Sequence, residues 1–410
     1  MTQSKPTVTP VAAASTTWPN LPLFMVALAL LSAASGMFET TFNNFVSDVY
    51  GLTAEARGAL ECPRELPGFL TALMVAALFF LSETRVAAVA AFATGIGLLG
   101  LAASGGSWTL MLVTMTTWSV GAHLIMPVRS SIGMDLATGT ARGRLLGQIS
   151  GVAVAASMVG CGLVWLLLRQ GGKGYTTIFL VGGVASLVAG GVLLAMRMPG
   201  AHLRRTRLVW NRRYGFYYVL SFLFGARKQL FITFGPWVLI KIFHQPAIIF
   251  AQLWMVASAL GVLFQPLLGR AIDRYGERRV LMWDAGVVLL ICLGYGFSER
   301  LGAGGVALWL LYGCFVVDQL LFGTGMARDI YLAKIAVRKE DVAPTLSLGV
   351  SINHVVSMSI PWVGGWIWER YGYAQVFLGA AVVALATGCV AHWLRVPDVA
   401  AADNAAAVAS

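Results

Sequence analysis

Two adjacent cations interrupt an apolar segment in the second part of the chain. Arg227, Lys228 and the amide Gln229 lie in the middle of the run from Phe216 to Ile240. Long cationic side chains do not reach water easily from that depth, so both need a partner or a ligand. Neighbouring helical residues point about 100° apart, so at most one cation faces a central cavity squarely. We predict that these three residues bind an anionic ligand, with the other cation paired to an acid.

Acids within other apolar segments are candidates to carry a coupling proton. Glu39 lies in the first segment, with Asn43 one helical turn further on and on the same face, and Asp318 lies in a later segment. A carboxylate held away from water needs either a partner or a proton. We predict Glu39 and Asp318 as proton carriers and Asn43 as a substrate ligand. Alternatively, the asparagine holds two helices together.

A cluster of charges opens the second apolar segment, which reads Glu61-Cys-Pro-Arg64-Glu65-Leu-Pro67. The spacing places Glu61, Arg64 and Glu65 along one stripe of a helix, where Arg64 can pair with either acid. The prolines loosen the backbone, as suits a helix that bends or lines a cavity. We predict Glu61 and Glu65 as further proton carriers and Arg64 as a gating salt bridge. The alternative is a static salt-bridge cluster on the extracytoplasmic side that clamps two parts of the protein.

Polar residues also interrupt two later segments. Asn353 and His354 are adjacent within an apolar run, and we predict both as substrate ligands, although a histidine in a membrane can equally be a packing residue or a proton relay. The same alternatives apply to His123. Arg129 and Arg328 lie at matching ends of two apolar segments, one in each part of the chain. We predict them as cytoplasmic gate residues, and as substrate ligands only in second place.

These side chains need elements that hold them inside a membrane. Hydrophobic residues make up 58% of the 410 residues and charged residues only 11%, which is more apolar surface than a soluble domain can bury. Apolar runs of about 20 residues recur along the chain, the length that crosses a bilayer core of roughly 30 Å. We predict an all-α membrane protein with twelve spans. They lie near 21–46, 58–82, 85–104, 107–130, 143–168, 174–196, 214–241, 247–271, 279–297, 304–328, 344–368 and 373–395.

The spans group into two halves. The longest charged interruption, 197–213, predicts a central cytoplasmic loop between a six-helix bundle at 21–196 and a second one at 214–395. Residues 1–20 and 396–410 are polar or alanine-rich, and we predict cytoplasmic tails there.

Positive charge gives the orientation. Most of the 29 Lys and Arg fall on one side of the predicted membrane, which identifies that side and both termini as cytoplasmic and favours the inner membrane. The net charge of +11 is therefore a topology signal, and we expect no nucleic-acid partner. Five cysteines lie scattered without CxxC or Cys/His spacing, so we expect no metal site and no cofactor.

The halves are related in sequence. A shift without gaps lays Gly36 on Gly225 and Arg85 on Arg274, while Glu39 falls opposite Lys228. Between spans 8 and 9 the chain reads Gly269-Arg-Ala-Ile-Asp273-Arg274-Tyr-Gly276-Glu-Arg-Arg, which resembles the cytoplasmic signature G-x-x-x-D-R-x-G-x-R-R of the major facilitator superfamily. We expect Gly269 to permit close helix packing and Gly276 to make a tight turn. Asp273 and Arg274 are then predicted gate or salt-bridge residues.

The resemblance implies the superfamily fold, two pseudo-symmetric six-helix bundles with spans 1, 4, 7 and 10 lining a central cavity. The first-half copy of the signature keeps only Arg85, and the segment from Gly147 to Gly160 lacks the Gly-Pro pair of the drug-antiporter signature.

Together these features predict a transporter and not an enzyme. We expect a monomer in the lipid bilayer that moves a small anionic organic solute by alternating access. The resemblance implies coupling to protons, because no sodium site can be read from the sequence. One alternative is an exporter of cationic or amphipathic drugs. The two mid-span cations argue against it, because they would repel a cationic substrate. The other is a membrane sensor that transports nothing.

Overall fold

The computed structural model of the chain describes residues 20–136, 142–169, 174–196, 198, 210–301 and 305–395. Over these residues the backbone forms helices and short connections, and no strand. In lipid a backbone has no water to bind, so helices that satisfy their own hydrogen bonds are the expected element. The predicted all-α fold is confirmed.

The first half begins with one long helix, continues with three short ones, and then has four more long helices. In chain order they are α1 (Asn20–Tyr50), α2 (Ala54–Ala59), α3 (Glu61–Phe69), α4 (Thr71–Ala77), α5 (Glu83–Ala103), α6 (Trp108–Leu136), α7 (Arg142–Leu168) and α8 (Tyr175–Ala195).

The second half has its second span as one unbroken helix and its fourth span in two pieces. Its helices are α9 (Gly215–Lys241), α10 (Ala247–Tyr275), α11 (Glu277–Gly296), α12 (Gly305–Leu321), α13 (Gly325–Ile335), α14 (Lys339–Tyr371) and α15 (Tyr373–His392), with 3₁₀ turns at Arg212–Tyr214, Ser298–Leu301 and Phe322–Thr324.

Two predicted spans differ in character from the other ten. Within the described ranges, ten helices are long and apolar enough to cross a membrane. The span at 58–82 is instead divided into α2, α3 and α4. Pro63 has no N–H to donate to the end of α2, which accounts for the first break, whereas Pro67 lies inside α3. Helix α9 is long enough, but Arg227, Lys228 and Gln229 lower its hydropathy.

Hydrophobic packing shows which ends of the halves meet. Near Tyr50 and Lys241, the predicted extracytoplasmic end, one hydrophobic cluster contains residues of both halves, for example Phe45 and Trp237. At the opposite end each half has a cluster of its own. The halves are therefore packed together at one end and separated at the other, an inward-facing arrangement in the predicted orientation.

The closed end depends on a close approach of α2 to α14. A Cβ on Gly58 would lie 2.0 Å from the carbonyl oxygen of Pro361, so only glycine fits there. Nearby, the Ala54 N–H donates to Glu369 Oε1 at 2.7 Å. Helix α2 belongs to the first half and α14 to the second, so this contact joins the halves directly.

At the separated end, one residue joins α10 to α11. Gly276 adopts φ +80°, which glycine reaches at little cost, and this agrees with the expected tight turn. The expectation for Gly269 is wrong in this arrangement, since a Cβ there would meet no atom within 4 Å. The reason is that the two halves lie apart at this end.

The predicted tails at 1–20 and 396–410 and the central loop at 197–213 lie outside the described residues, apart from Asn20, Met198 and residues 210–213. The division of the chain at these boundaries stays a prediction.

Candidate functional site

A cavity of about 420 Å³ lies between the two halves. Polar side chains of α1 line it on one side, and mostly aromatic side chains of the second half line the other. The lining residues are Glu39, Thr40, Asn43, Phe224, Lys228, Ile232, Pro236, Phe250, Trp254, Phe315, Gln319 and Phe322. This volume is in the range of small-molecule sites.

The two adjacent cations of α9 point to different places. Lys228 is partly exposed and lines the cavity, where its Nζ donates to Asn353 Oδ1 at 3.0 Å. Arg227 is only 4% exposed and points into the second half. Successive helical side chains diverge by about 100°, which explains why one cation faces the cavity and its neighbour does not.

Arg227 belongs to a buried charged group within the second half. Its Nη2 donates to Asp318 Oδ1 at 2.8 Å, and its Nη1 lies 4.0 Å from Asp284 Oδ1. Thr324 Oγ1 donates to the same Asp284 oxygen at 3.0 Å. Arg227 is therefore the one of the two cations that pairs with an acid, as the sequence predicts for one of them. The roles of Arg227 as a ligand and of Asp318 as a proton carrier stay predictions. The group joins α9, α11 and α12, and it has one more acid than base.

A second buried network surrounds Glu61. Its carboxylate accepts from Arg57 Nη1 at 2.5 Å and from Arg64 Nε at 2.6 Å within the first half. Gln229 Nε2 of the second half donates to it at 2.6 Å. Arg57 Nε also donates to Asn43 Oδ1 at 2.8 Å, so the network reaches the cavity wall. Gln229 thus binds an acid of the other half, where the sequence predicts a substrate ligand.

The network continues to a histidine pair. Glu65 accepts from Arg64 Nη2 at 2.9 Å and contacts His354 Nδ1 of the other half at 3.0 Å. The rings of His123 and His354 lie 5.0 Å apart. Gly68 permits the close approach of the His354 ring to α3, since a Cβ at Gly68 would lie 2.3 Å from that ring.

These groups could also hold an ion. One ligand atom each of Glu65, His123 and His354 lies within 4.8 Å of the others, a set that sequence spacing does not reveal. However, Arg64 already neutralises Glu65, which disfavours a further cation there. The arrangement fits an inter-half ion pair best.

The predicted gate residues other than Arg64 lie near the separated end. Arg129 is exposed, and so are Asp273 and Arg274, neither of which has an ion-pair partner among the described residues. Arg328 donates to Asp329 Oδ1 at 3.1 Å, and its guanidinium carbon lies 4.8 Å from the centre of the Phe224 ring, at the cavity wall.

Another contact at this end was not predicted. Glu277 is 1% exposed and binds Lys334 Nζ at 2.5 Å. This ion pair ties the start of α11 to the end of α13 within the second half.

Sequence reasoning missed the aromatic wall and two charged residues. Aromatic side chains in an apolar span look the same whether they face lipid, core or cavity, so nothing marks them as ligands. Arg57 and Asp284 did carry a signal, since each is charged and lies in or next to a predicted span.

The family model of the Major Facilitator Superfamily matches residues 65–335. No curated protein matches the sequence.

Solved structures of transporters share the fold. The nucleoside transporter NupG superposes with a TM-score of 0.74 at 16% identity, covering 92% of this chain and 100% of that one. A D-xylose-proton symporter gives 0.68 at 14%, covering 92% and 97%. A bacterial homologue of the human lysosomal transporter Spinster, in an inward-facing and unoccupied conformation, gives 0.69 at 13%, covering 93% and 97%. At these identities the likeness concerns the fold alone.

Proposed function

This chain belongs to the major facilitator superfamily, and on that premise we propose that it is a secondary active transporter for a small anionic organic solute. We place it in the inner membrane with both termini in the cytoplasm, and we propose coupling to protons. The observation that carries the proposal is the position of Lys228 in the cavity between the halves. A partly exposed ammonium group with one hydrogen-bond partner has donors left for an anion.

Glu39 is the proposed proton carrier. It lines the same cavity, and it makes no hydrogen bond or ion pair within the described part of the chain. A solute anion bound in this cavity adds negative charge near Glu39, which favours protonation of that carboxylate. Glu61, Glu65 and Asp318 already have basic partners, so in this proposal they hold helices and halves together.

Alternating access follows from rocking of the halves around this cavity. The contact of α2 with α14 closes the extracytoplasmic end in the arrangement described above. In the opposite state the cytoplasmic ends approach, and we propose that Arg129, Arg328, Asp273 and Arg274 then form the closing contacts.

Proton movement in proteoliposomes tests the proposal. Purified protein is first screened by melting temperature against organic acids, phosphorylated metabolites and amino acids, and the stabilising solutes are then added to proteoliposomes that contain a pH dye. We expect solute-dependent proton movement that disappears in Glu39→Gln and Lys228→Ala. The matched controls are Glu55→Gln and Lys241→Ala, which lie outside the cavity. Normal proton movement in both cavity variants contradicts the assignment.

A second candidate is export of cationic or amphipathic compounds, which the aromatic wall next to Glu39 favours. Lys228 opposes it, because an ammonium group repels such a compound. Resistance of expressing cells to cationic drugs that survives Lys228→Ala and is lost in Glu39→Gln supports this candidate over the first.

A further inference from the structure

The cavity has two chemically different walls. Its aromatic residues all belong to the second half and come from α9, α10, α12 and the turn after α12. They are Phe224, Phe250, Trp254, Phe315 and Phe322. The first half contributes Glu39, Thr40 and Asn43 among the described residues. A ligand in this space meets rings on one side and oxygen or amide groups on the other.

Contacts behind the aromatic wall hold its rings in place. Phe315 makes edge-to-face contacts with Phe250 at 6.0 Å and with Trp254 at 6.3 Å between ring centres. The guanidinium carbon of Arg227 lies 5.2 Å from the centre of the Phe322 ring. Because the rings are fixed before a ligand arrives, binding loses little side-chain entropy. Preorganised rings favour an aromatic ligand, which gains edge or face contacts beyond simple burial.

The charges of the cavity set the charge of the ligand. Lys228 is the cationic residue that lines the described cavity, and Glu39 lies in the same lining. One anionic group can bind Lys228 Nζ. A second anionic group on the same ligand would find no further cation among the lining residues, because the other ionisable side chain there is the acid Glu39. The lining therefore fits a monoanion.

We propose, as a refinement that rests on the function proposed above, that the solute is a compact aromatic monoanion such as an aromatic carboxylate of one or two rings. Its ring packs against Phe224, Trp254 and Phe322, and its carboxylate accepts from Lys228 Nζ. Sugars fit less well, because their hydroxyl groups need several hydrogen-bond partners. On the wall that the second half forms, Lys228 and Gln319 are the polar side chains in the lining. A volume of about 420 Å³ accommodates one such molecule with a few waters.

The test compares three probes of nearly equal size. Benzoate has the ring and the charge, benzamide has the ring without the charge, and cyclohexanecarboxylate has the charge without the aromatic ring. The melting temperature of the purified full-length protein is measured against the concentration of each probe, with hippurate and indole-3-acetate as longer aromatic acids.

Benzoate or a longer aromatic acid is expected to raise the melting temperature by about 2 °C near saturation. Benzamide should have no effect. Cyclohexanecarboxylate should need about three- to tenfold higher concentration for half of the effect, because it lacks the ring contacts.

Variants identify the site. Lys228→Met should abolish the response to every acid, and Trp254→Ala should make benzoate no better than cyclohexanecarboxylate. The matched controls are Lys241→Met and Trp309→Ala, because Lys241 lies outside the cavity and Trp309 is 74% exposed. Both controls should respond as the wild type does.

The possible failures separate this inference from the proposed function. If cyclohexanecarboxylate raises the melting temperature as much as benzoate does, both in the wild type and in Trp254→Ala, the aromatic preference is wrong while anion binding stands. If benzamide stabilises as well as benzoate and Lys228→Met changes nothing, the anionic function itself is wrong. If no aromatic acid stabilises the protein but aliphatic acids do, the inference is wrong and the proposed function survives.

Discussion

At the scale of the residue, the most informative pair is Arg227 and Lys228. The sequence predicts that the side chains of these two adjacent cations point in different directions, because successive residues of a helix lie about 100° apart. It does not predict which one faces the cavity, since that depends on the rotation of α9 against its neighbours. The structure places Arg227 against Asp318 and Lys228 in the cavity.

The Arg227–Asp318 pair is expected to stabilise the second half. Arg227→Met leaves two buried acids without their base, at a cost of about 3–5 kcal/mol, and should lower the melting temperature of the purified protein clearly. The double variant Arg227→Met with Asp318→Asn should recover part of the loss. Arg129→Met, which removes an exposed arginine, is the control. A loss no larger than that of the control contradicts a stabilising role.

The networks around Glu61 and Glu65 show what sequence spacing can and cannot reveal. The stripe of Glu61, Arg64 and Glu65 follows from helical periodicity, and these ion pairs are present. Their partners Gln229 and His354 come from the other half, more than 150 residues away in sequence. No local pattern predicts such contacts.

At the scale of the element, the predicted spans correspond closely to the observed helices, because apolar length and charged interruptions mark helix ends in a membrane. The break between α2 and α3 also follows from Pro63, whereas Pro67 lies inside α3. The prediction of Gly269 as a packing residue fails, since close packing at the separated end depends on how the halves are oriented.

The contact between α2 and α14 should control the closed end. Gly58→Val places a side chain where a Cβ alone would lie 2.0 Å from Pro361 O, so we expect the closed end, which is the extracytoplasmic one in the predicted orientation, to open. The readout is labelling of Asn43→Cys, in a background without native cysteines, by a membrane-impermeant maleimide added from the extracytoplasmic side.

Labelling should be faster in Gly58→Val than in the parent protein. Gly151→Val is the matched control, because a Cβ at Gly151 meets no atom within 4 Å and its helix is not part of this contact. Equal labelling rates in both valine variants would show that α2 and α14 do not hold this end closed.

At the scale of the whole molecule, the repeat supplies a symmetric scaffold with an asymmetric lining. The sequence indicates this asymmetry through Glu39 opposite Lys228. It does not indicate the aromatic wall, which depends on which faces of α9, α10 and α12 turn toward the first half. The membrane-spanning helices and their division into two related halves are therefore predictable from composition, periodicity and the repeat. The superfamily is predictable from the resemblance of residues 269–279 to its signature, whereas the shape of the cavity requires the packed structure.

We propose that one cavity binds an anion at Lys228 and a proton at Glu39. The most direct measurement compares two modes of radiolabelled hippurate transport in proteoliposomes, with protein-free liposomes as the blank. The modes are exchange against internal hippurate and accumulation driven by an imposed proton gradient. Lys228→Ala is expected to lose both modes, whereas Glu39→Gln is expected to keep exchange and lose gradient-driven accumulation. Accumulation that persists in Glu39→Gln, or exchange that persists in Lys228→Ala, would contradict it.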